Sequence, residues 1–397
     1  MASLSAQAAD IAAAVQKLET SPDQVSRAER LRLIQSLEKL KLELKDPKEA
    51  IFDHLTNFVV LANLRALLEL KVPESIPLVG SISARDLAAK VGAEEPLIVR
   101  LMRILTVTGI FDMVGPDEYA HTKFSRAYIE GHEVDFLKLC CDEIFVNTTR
   151  LPEYFRATSA RDTTSMTDNP YAWGNGQVGK TFFEIISQDP RRIQQFNIAM
   201  STQDNTLPVL GMYPFGEELA NASDLENRAL IVDIGGGRGH SLVQIRERWP
   251  ELKGRMILQD RPVVLDSIGE LPGIEKMPHD FFTEQPVKHA HAYYIRRCLH
   301  NWTDAHCIQI LKSIVPAMAP DSRVLIGEMV VPEYGSERPG GVEDMAPYWM
   351  DHNMFAFGGR ERTKSDWEKL VAEAGLKLHK IWHSEASSQA VLEARLA

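Results

Sequence analysis

From Ala2 to Leu44, alanine, leucine and charged residues recur at helical spacing, broken at Ser21-Pro22-Asp23, where one helix stops and a second receives its N-cap. This pattern predicts two helices. Ile51 to Leu70 (IFDHLTNFVVLANLRALLEL) is apolar on more than one face, which predicts burial between neighbours or against a partner subunit. Next come Ser83-Ala-Arg-Asp-Leu-Ala-Ala-Lys-Val-Gly92, a helix from about Pro96 to Val107, and a hairpin-like stretch over Phe111–Tyr119 containing Gly115-Pro116. Helix, glycine turn, helix and small hairpin make a winged-helix pattern. Cys140 to Gly216 reads as mostly helical and rich in aromatics, among them Trp173, Phe182, Phe183 and Phe196.

After Asn227 the texture changes, and strand-like apolar runs alternate with helix-like ones. Ala229–Ile234 is followed by a helix from His240 to Arg248, Arg255–Gln259 by Val263–Gly269, Ala292–Ile295 by Ala305–Met318, and Arg323–Val330 by Thr363–Ala374. Such alternation predicts a mostly parallel sheet with helices on both faces. The expected fold class is therefore α/β: a Rossmann-like sheet domain over 216–397, preceded by a helical and winged-helix-like half over 1–215. With 397 residues, the chain exceeds the roughly 100–200 of an average domain, as this division requires.

The composition, 44% hydrophobic and 25% charged, is that of a folded globular protein. A formal net charge of -11 offers no field to attract phosphate backbones or an anionic membrane. The second helix of the winged-helix pattern presents only Arg100 and Arg103, too few for a basic recognition face, so nucleic acid is not an expected partner. Four cysteines, none at zinc-site spacing, fit reduced thiols and a cytoplasmic protein. The first residues lack the basic start of a leader, and no apolar run reaches the ~18 residues that span a bilayer, so no membrane is expected.

Ile231-Val-Asp-Ile-Gly-Gly-Gly-Arg-Gly-His240 is an apolar strand running into Gly235, Gly237 and Gly239 and then a helix. Glycines at that point let a ligand approach the backbone at the strand end. A dinucleotide fingerprint places its third glycine where this chain has His240, so the nicotinamide form fits poorly. Asp260 follows about 20 residues later, an offset that suits the two hydroxyls of a ribose; an aspartate capping a helix at Pro262 explains the same residue. Asp280-Phe281 follows a third strand region, where Asp280 can accept from an exocyclic amine while Phe281 packs beside a purine.

In Tyr293-Tyr-Ile-Arg-Arg-Cys-Leu-His300-Asn-Trp, the histidine lies just past a strand end, on the edge of the crevice where open sheets hold ligands. Its ordinary pKa, near ~6.5, lets an imidazole accept a proton at neutral pH. Glu328 ends the next strand, and Glu361 lies in Gly358-Gly-Arg-Glu-Arg-Thr363. A carboxylate on the far ring nitrogen would fix the tautomer and aim the ring. Alternatively, Glu361 pairs with Arg360 or Arg362 at the start of a helix. His289 and His291 flank Ala290 without a third ligand in view, and they read as solvated loop residues; no metal is expected.

With these motifs together, the sequence resembles the plant and fungal class I O-methyltransferases of the caffeic acid type over nearly its whole length. The resemblance rests on the helical and winged-helix half, Gly235-Gly-Gly-Arg-Gly239, Gln259-Asp260, His279-Asp-Phe-Phe282, Leu299-His-Asn-Trp302, Glu328 and Gly-Gly-Arg-Glu-Arg-Thr363. It implies a Rossmann-like methyltransferase domain, S-adenosylmethionine as methyl donor and S-adenosylhomocysteine as product, with a small aromatic or enolic hydroxyl as acceptor. By the same resemblance, His300 is the base and Glu328 and Glu361 orient it. Asp233, Gly235, Gly237, Asp260, Asp280, Phe281 and Arg296 surround the cofactor. Ser201, with Phe196, Asn197 and Met200, belongs to the segment over cofactor and substrate, and Trp349, Asp351, Met354 and Phe357 form a second pocket wall. The N-terminal half makes a homodimer whose partner lines the pocket. Many relatives read Leu-His-Asp-Trp where this chain has Asn301, which is able to cap the following helix. A few relatives keep the cofactor and use its positive charge to steer pericyclic reactions, the alternative activity.

Overall fold

The computed structural model describes residues 4–130, 133–162, 165–206, 209–335, 344–384 and 387–397. Two compact units emerge. One comprises Met1–Ile11, Ser36–Phe145 and Pro190–Thr206, and the other Ala12–Gln35, Val146–Asp189 and Leu207–Ala397.

The predicted pair of N-terminal helices forms as α1 (Leu4–Thr20) and α2 (Arg27–Leu44), tied by the Lys17–Glu29 ion pair. In the first unit, α3 (Pro47–Glu69) starts at Asp46, whose side chain caps Lys48 N–H, with Pro47 at the first helical position. Sequence reasoning expected this helix to be buried between neighbours or against a partner subunit, and within the single chain it is buried only in part. Its C-terminal end is covered, through Leu64, Leu67 and Leu68, whereas Ile51, Phe52, Leu55 and Phe58 are more than half exposed. By length and hydropathy alone α3 would also pass for a membrane span, contrary to the sequence-based expectation, with Lys48, Glu49, Arg65 and Glu69 near its ends and Asp53 within it.

The winged-helix pattern holds. Strand β1 (Ile82–Ser83) leads into α4 (Ala84–Val91), which Ser83 caps and Gly92 ends in the left-handed conformation, and α5 (Glu95–Val107) follows. Strands β2 (Phe111–Gly115) and β3 (Glu118–His121) form the antiparallel wing, and β1 pairs with β3. Leu87, Ile98, Met102, Leu105, Phe111 and Tyr119 close this core around the end of α3. Helix α6 (Pro190–Thr206) belongs to the same unit.

In the second unit, β4 (Ile231–Ile234), β5 (Met256–Asp260), β6 (Ile274–Pro278), β7 (Ala292–Arg296) and β8 (Arg323–Val331) are parallel. A short β9 (Arg362–Thr363) joins β8 in parallel, and β10 (Leu376–His383) and β11 (Gln389–Leu396) add an antiparallel edge, giving the order β10-β11-β8-β7-β4-β5-β6. Strand β4 pairs with β5 on one side and β7 on the other, so the strand order reverses there and the crevice opens above its C-terminal end. Alternate residues of β4 feed opposite cores: Val232 and Ile234 pack on one face and Ile231 on the other. Helices α7 (His240–Arg248), α8 (Asp304–Ile314), α9 (Ala346–Phe357) and α10 (Lys364–Glu373) accompany the strands. The helix expected over Val263–Gly269 shrinks to Pro262–Leu265.

Candidate active site

The turn after β4 follows from its glycines. Gly235, Gly237 and Gly239 have φ of 66°, 58° and 80°, values that an L side chain reaches only under strain. A Cβ on Gly235 would lie 3.4 Å from both Cys298 Sγ and the Phe281 ring, whereas one on Gly237 would face open space. Gly237 N–H donates to Asp260 Oδ2 at 2.8 Å, and Arg261 N–H to Asp260 Oδ1 at 2.7 Å. Asp260 therefore bridges the glycine loop and the end of β5; it does not cap the following helix, whose N-cap is Arg261. Each of its carboxylate oxygens keeps a lone pair for a further donor.

Asp233 is fully buried on β4 beneath Gly236, where a Cβ would approach Asp233 Oδ2 to 2.4 Å. Asp280, exposed after β6, accepts Phe282 N–H at 3.0 Å, and Phe281 is half-buried against Phe282 and Trp302. Arg296 ends β7, half-buried. These residues line the C-terminal ends of adjacent parallel strands, where the fold's crevice lies.

The histidine sits one short turn further on. Arg297 takes a left-handed backbone (φ 49°) and breaks β7, and Leu299–Asn301 form a 3-10 turn. Glu328 of β8 gathers that turn: its Oε1 accepts the backbone N–H groups of Cys298, Leu299 and His300 at 2.9, 2.8 and 3.3 Å. Glu361 faces the ring, with Oε1 2.6 Å from His300 Nδ1, while Glu328 Oε2 is 3.7 Å from the same nitrogen. Both carboxylates and the imidazole are buried. Burial disfavours the imidazolium, but the charges of Glu328 and Glu361 outweigh it and raise the His300 pKa. Burial likewise pushes Glu328 up, against the pull of His300. With Nδ1–H given to Glu361, the neutral ring carries its lone pair on Nε2, the arrangement of a general base.

Glu361 pairs with neither neighbouring arginine. Its backbone N–H donates to Asp351 Oδ1 at 2.8 Å, so Asp351, expected on a pocket wall, holds the partner of the base, and burial raises its own pKa. Of the other expected wall residues, Trp349 is 42% exposed, Met354 is buried, and Phe357 packs on Tyr171 and Phe182. Phe196 and Met200 on α6 are half-buried and Asn197 is exposed, all in the first unit. The side chain of Ser201 lies outside the described residues. Asn301 does not cap α8, a place taken by Thr303; its amide donates to Cys298 O at 3.3 Å within its own turn. His291 is not solvated but buried, bonded to Ser223 O at 2.8 Å.

Comparison with known proteins assigns this arrangement to a family. The O-methyltransferase domain model matches residues 161–377, and the O-methyltransferase dimerisation domain model matches residues 52–131. The chain belongs to the O-methyltransferase family. As such it is an S-adenosylmethionine-dependent enzyme. The O-methyltransferase hmp5 of Hypomyces subiculosus is 36% identical over 92% of each chain. The structure of OxaC in complex with SAH and oxaline superposes with a TM-score of 0.86 at 29% identity, over 99% of each chain. A pericyclic reaction enzyme superposes equally well, at 0.86 and 27% identity over 100% of each chain. Phe52, Leu55 and Phe58 of the exposed stripe fall at the start of this O-methyltransferase's dimerisation domain, with Ile51 just before it.

Proposed function

We propose that this enzyme methylates a hydroxyl of a small aromatic or enolic, secondary-metabolite-like acceptor, with His300 as general base in the manner of the caffeic acid type. The observation that carries the reading is the 2.6 Å contact between Glu361 and His300 Nδ1, with Glu328 holding the backbone of the same turn. The cradle fits S-adenosylmethionine: Gly237 leaves space where a Cβ would stand, Asp260 offers acceptor lone pairs to a ribose, and Phe281 offers an apolar face beside Gly235. Asp233, Asp280 and Arg296 complete its surroundings.

When bound, S-adenosylmethionine supplies an activated methyl group. The protein aligns the acceptor oxygen and removes its proton. A phenol with a pKa of about 10 is mostly neutral at pH 7, so His300 Nε2 takes the proton as the oxygen attacks, and the imidazolium formed is stabilised by Glu361 and Glu328. Alignment supplies up to roughly 7–11 kcal/mol of the barrier in well-oriented systems. In the same reading the family resemblance makes Phe196, Asn197, Met200, Trp349, Asp351, Met354 and Phe357 acceptor-binding residues, the half over 1–215 forms a homodimer whose partner also contacts the acceptor, and the enzyme works in the cytoplasm with reduced thiols. The four cysteines are all free, which supports the last point.

The likeness to a pericyclic reaction enzyme favours one alternative, a reaction steered by bound but unconsumed cofactor. Incubation with S-adenosylmethionine and a panel of phenolic and enolic polyketide-like acceptors, beside His300→Ala, separates the two by mass spectrometry. A product heavier by one methylene, absent in the variant, supports transfer. An isomerised acceptor with intact cofactor supports the alternative.

A further inference from the structure

Three consecutive residues grip the histidine turn. The N–H of Arg360 donates to the His300 carbonyl at 2.9 Å, Glu361 holds the ring, and Arg362 turns back beneath the turn. Arg362 is fully buried. Its Nη1 donates to Leu299 O at 3.2 Å and to Arg360 O at 3.4 Å, and its Nη2 donates to Trp302 O at 2.9 Å. Asp304, in the first turn of α8, takes Nε at 2.9 Å and Nη2 at 2.7 Å on one oxygen. The guanidinium thus joins the carbonyl before His300, the carbonyl after Asn301, the strand that delivers Glu361 and the helix that follows. On its other side it lies over the Trp367 ring, 5.2 Å from the centroid, and that ring is itself buried.

We propose that Arg362 is the positioning residue of the base: by clamping Leu299 O and Trp302 O from a guanidinium anchored on Asp304, it sets the distance between His300 and Glu361. This rests on the reading of His300 as the base. Glu361 and the Arg360 N–H bond to the His300 carbonyl tie the two chain segments at the histidine itself, and Arg362 ties them on either side of it, at Leu299 O and Trp302 O. Glu328 holds the N–H groups of the turn and Arg362 its carbonyls, so the two constrain the turn from opposite ends of its peptide dipoles. A buried ion pair is weak evidence for stability, and hydrophobic replacements are often neutral. What an alkyl chain cannot replace is the fork of donors in fixed geometry, and neither can a lysine, which keeps the charge as a single point.

The test compares Arg362→Lys with the full-length wild type, and Asp304→Asn as a milder variant that leaves the guanidinium in place. In Arg362→Lys, kcat is expected to fall about 10²-fold, the size of loss that a misplacement near 1 Å can cause. The acceptor KM and the affinity for S-adenosylhomocysteine should stay within about twofold of the wild type. His300, identified in histidine-labelled NMR spectra by comparison with His300→Ala, should titrate at lower pH because its ring has drawn away from Glu361. Asp304→Asn should move both readouts the same way by less. Arg362→Lys with wild-type kcat and an unmoved titration overturns the proposal. So does a variant that loses cofactor affinity and melting temperature in step with activity, which marks Arg362 as a core support only. The two readings fail separately: if the wild type transfers no methyl group while the His300 titration still moves, the base reading falls and the positioning stands. If transfer is established and the titration does not move, the reverse holds.

Discussion

Glu361→Gln isolates what the carboxylate contributes to the base. The substitution keeps the shape and a hydrogen-bonding oxygen for Nδ1–H, so the tautomer can survive, but the charge 2.6 Å from the ring is lost. Hydrogen bonds to charged groups contribute about 1.5–3 kcal/mol, and without the Glu361 charge the His300 pKa should fall. The same energy, withdrawn from the imidazolium that forms in the transition state, lowers kcat roughly 10- to 150-fold. The loss should stay short of the ~10⁴ seen for an amide replacement in a serine protease triad, because Glu328 keeps its charge 3.7 Å from Nδ1. The assay is methyl transfer followed by mass spectrometry from about pH 5 to 9. For the wild type, kcat/KM should rise with pH through a value above the ordinary ~6.5 of histidine, since only the neutral ring is a base and its pKa is raised. In the variant, the acidic limb should move to lower pH and the plateau should drop. A plateau within threefold of wild type on an unmoved limb would refute the reasoning.

The same pair should register in stability. A folded-state pKa raised above the unfolded one contributes stability that is fully present below about pH 6.5 and lost as pH rises through the raised value. The melting-temperature gap between wild type and Glu361→Gln should therefore be widest in mildly acidic buffer and narrow towards pH 9; a gap that widens with pH contradicts the sign. Gly359→Ala would place a Cβ 2.3 Å from the His300 carbonyl, which backbone cannot easily yield; a cost of about 1–3 kcal/mol in denaturant unfolding is expected, with kcat lost. Phe58→Asp puts a charge in the exposed stripe of α3 and should turn a dimer into a monomer in sedimentation velocity, whereas a variant that sediments as wild type would place the interface elsewhere.

The three residues proposed as the catalytic group were legible because His300 stands just past β7 and Glu361 after the Gly358-Gly359 turn; Glu328, expected to end its strand, lies inside β8, which runs on to Val331. The allocation of the acids was not. Which carboxylate meets the ring and which meets the backbone depends on a 3-10 turn whose entry, Arg297 at φ 49°, no residue pattern announces. The bond from Glu361 N–H to Asp351 was not legible either, because only the tight return after Phe357 brings that N–H back to the helix. The β10–β11 hairpin went unread because LKLHKIWH carries charges on what becomes a sheet edge, where no core demands a clean alternation. In α3 the apolar stripe was read correctly as a surface needing cover; within one chain that cover is incomplete.

The arrangement around His300 also bears on which reaction the fold performs. Desolvating two carboxylates and an imidazole together costs several kcal/mol per ion, and leaving one of them without its partner costs more. A rearrangement steered by the cofactor's positive charge alone, with no proton to remove, gains nothing from that expense. Here Glu361 is held by Asp351, the turn is held by Glu328 and Arg362, and Gly359 gives the base's own carbonyl room, so structure is spent on the position of one nitrogen. The fate of a proton is therefore a sharper discriminator than overall shape, which the methyltransferase and pericyclic neighbours match equally at a TM-score of 0.86. If methyl transfer to an acceptor follows the ionisation of His300, the base is in use in that reaction.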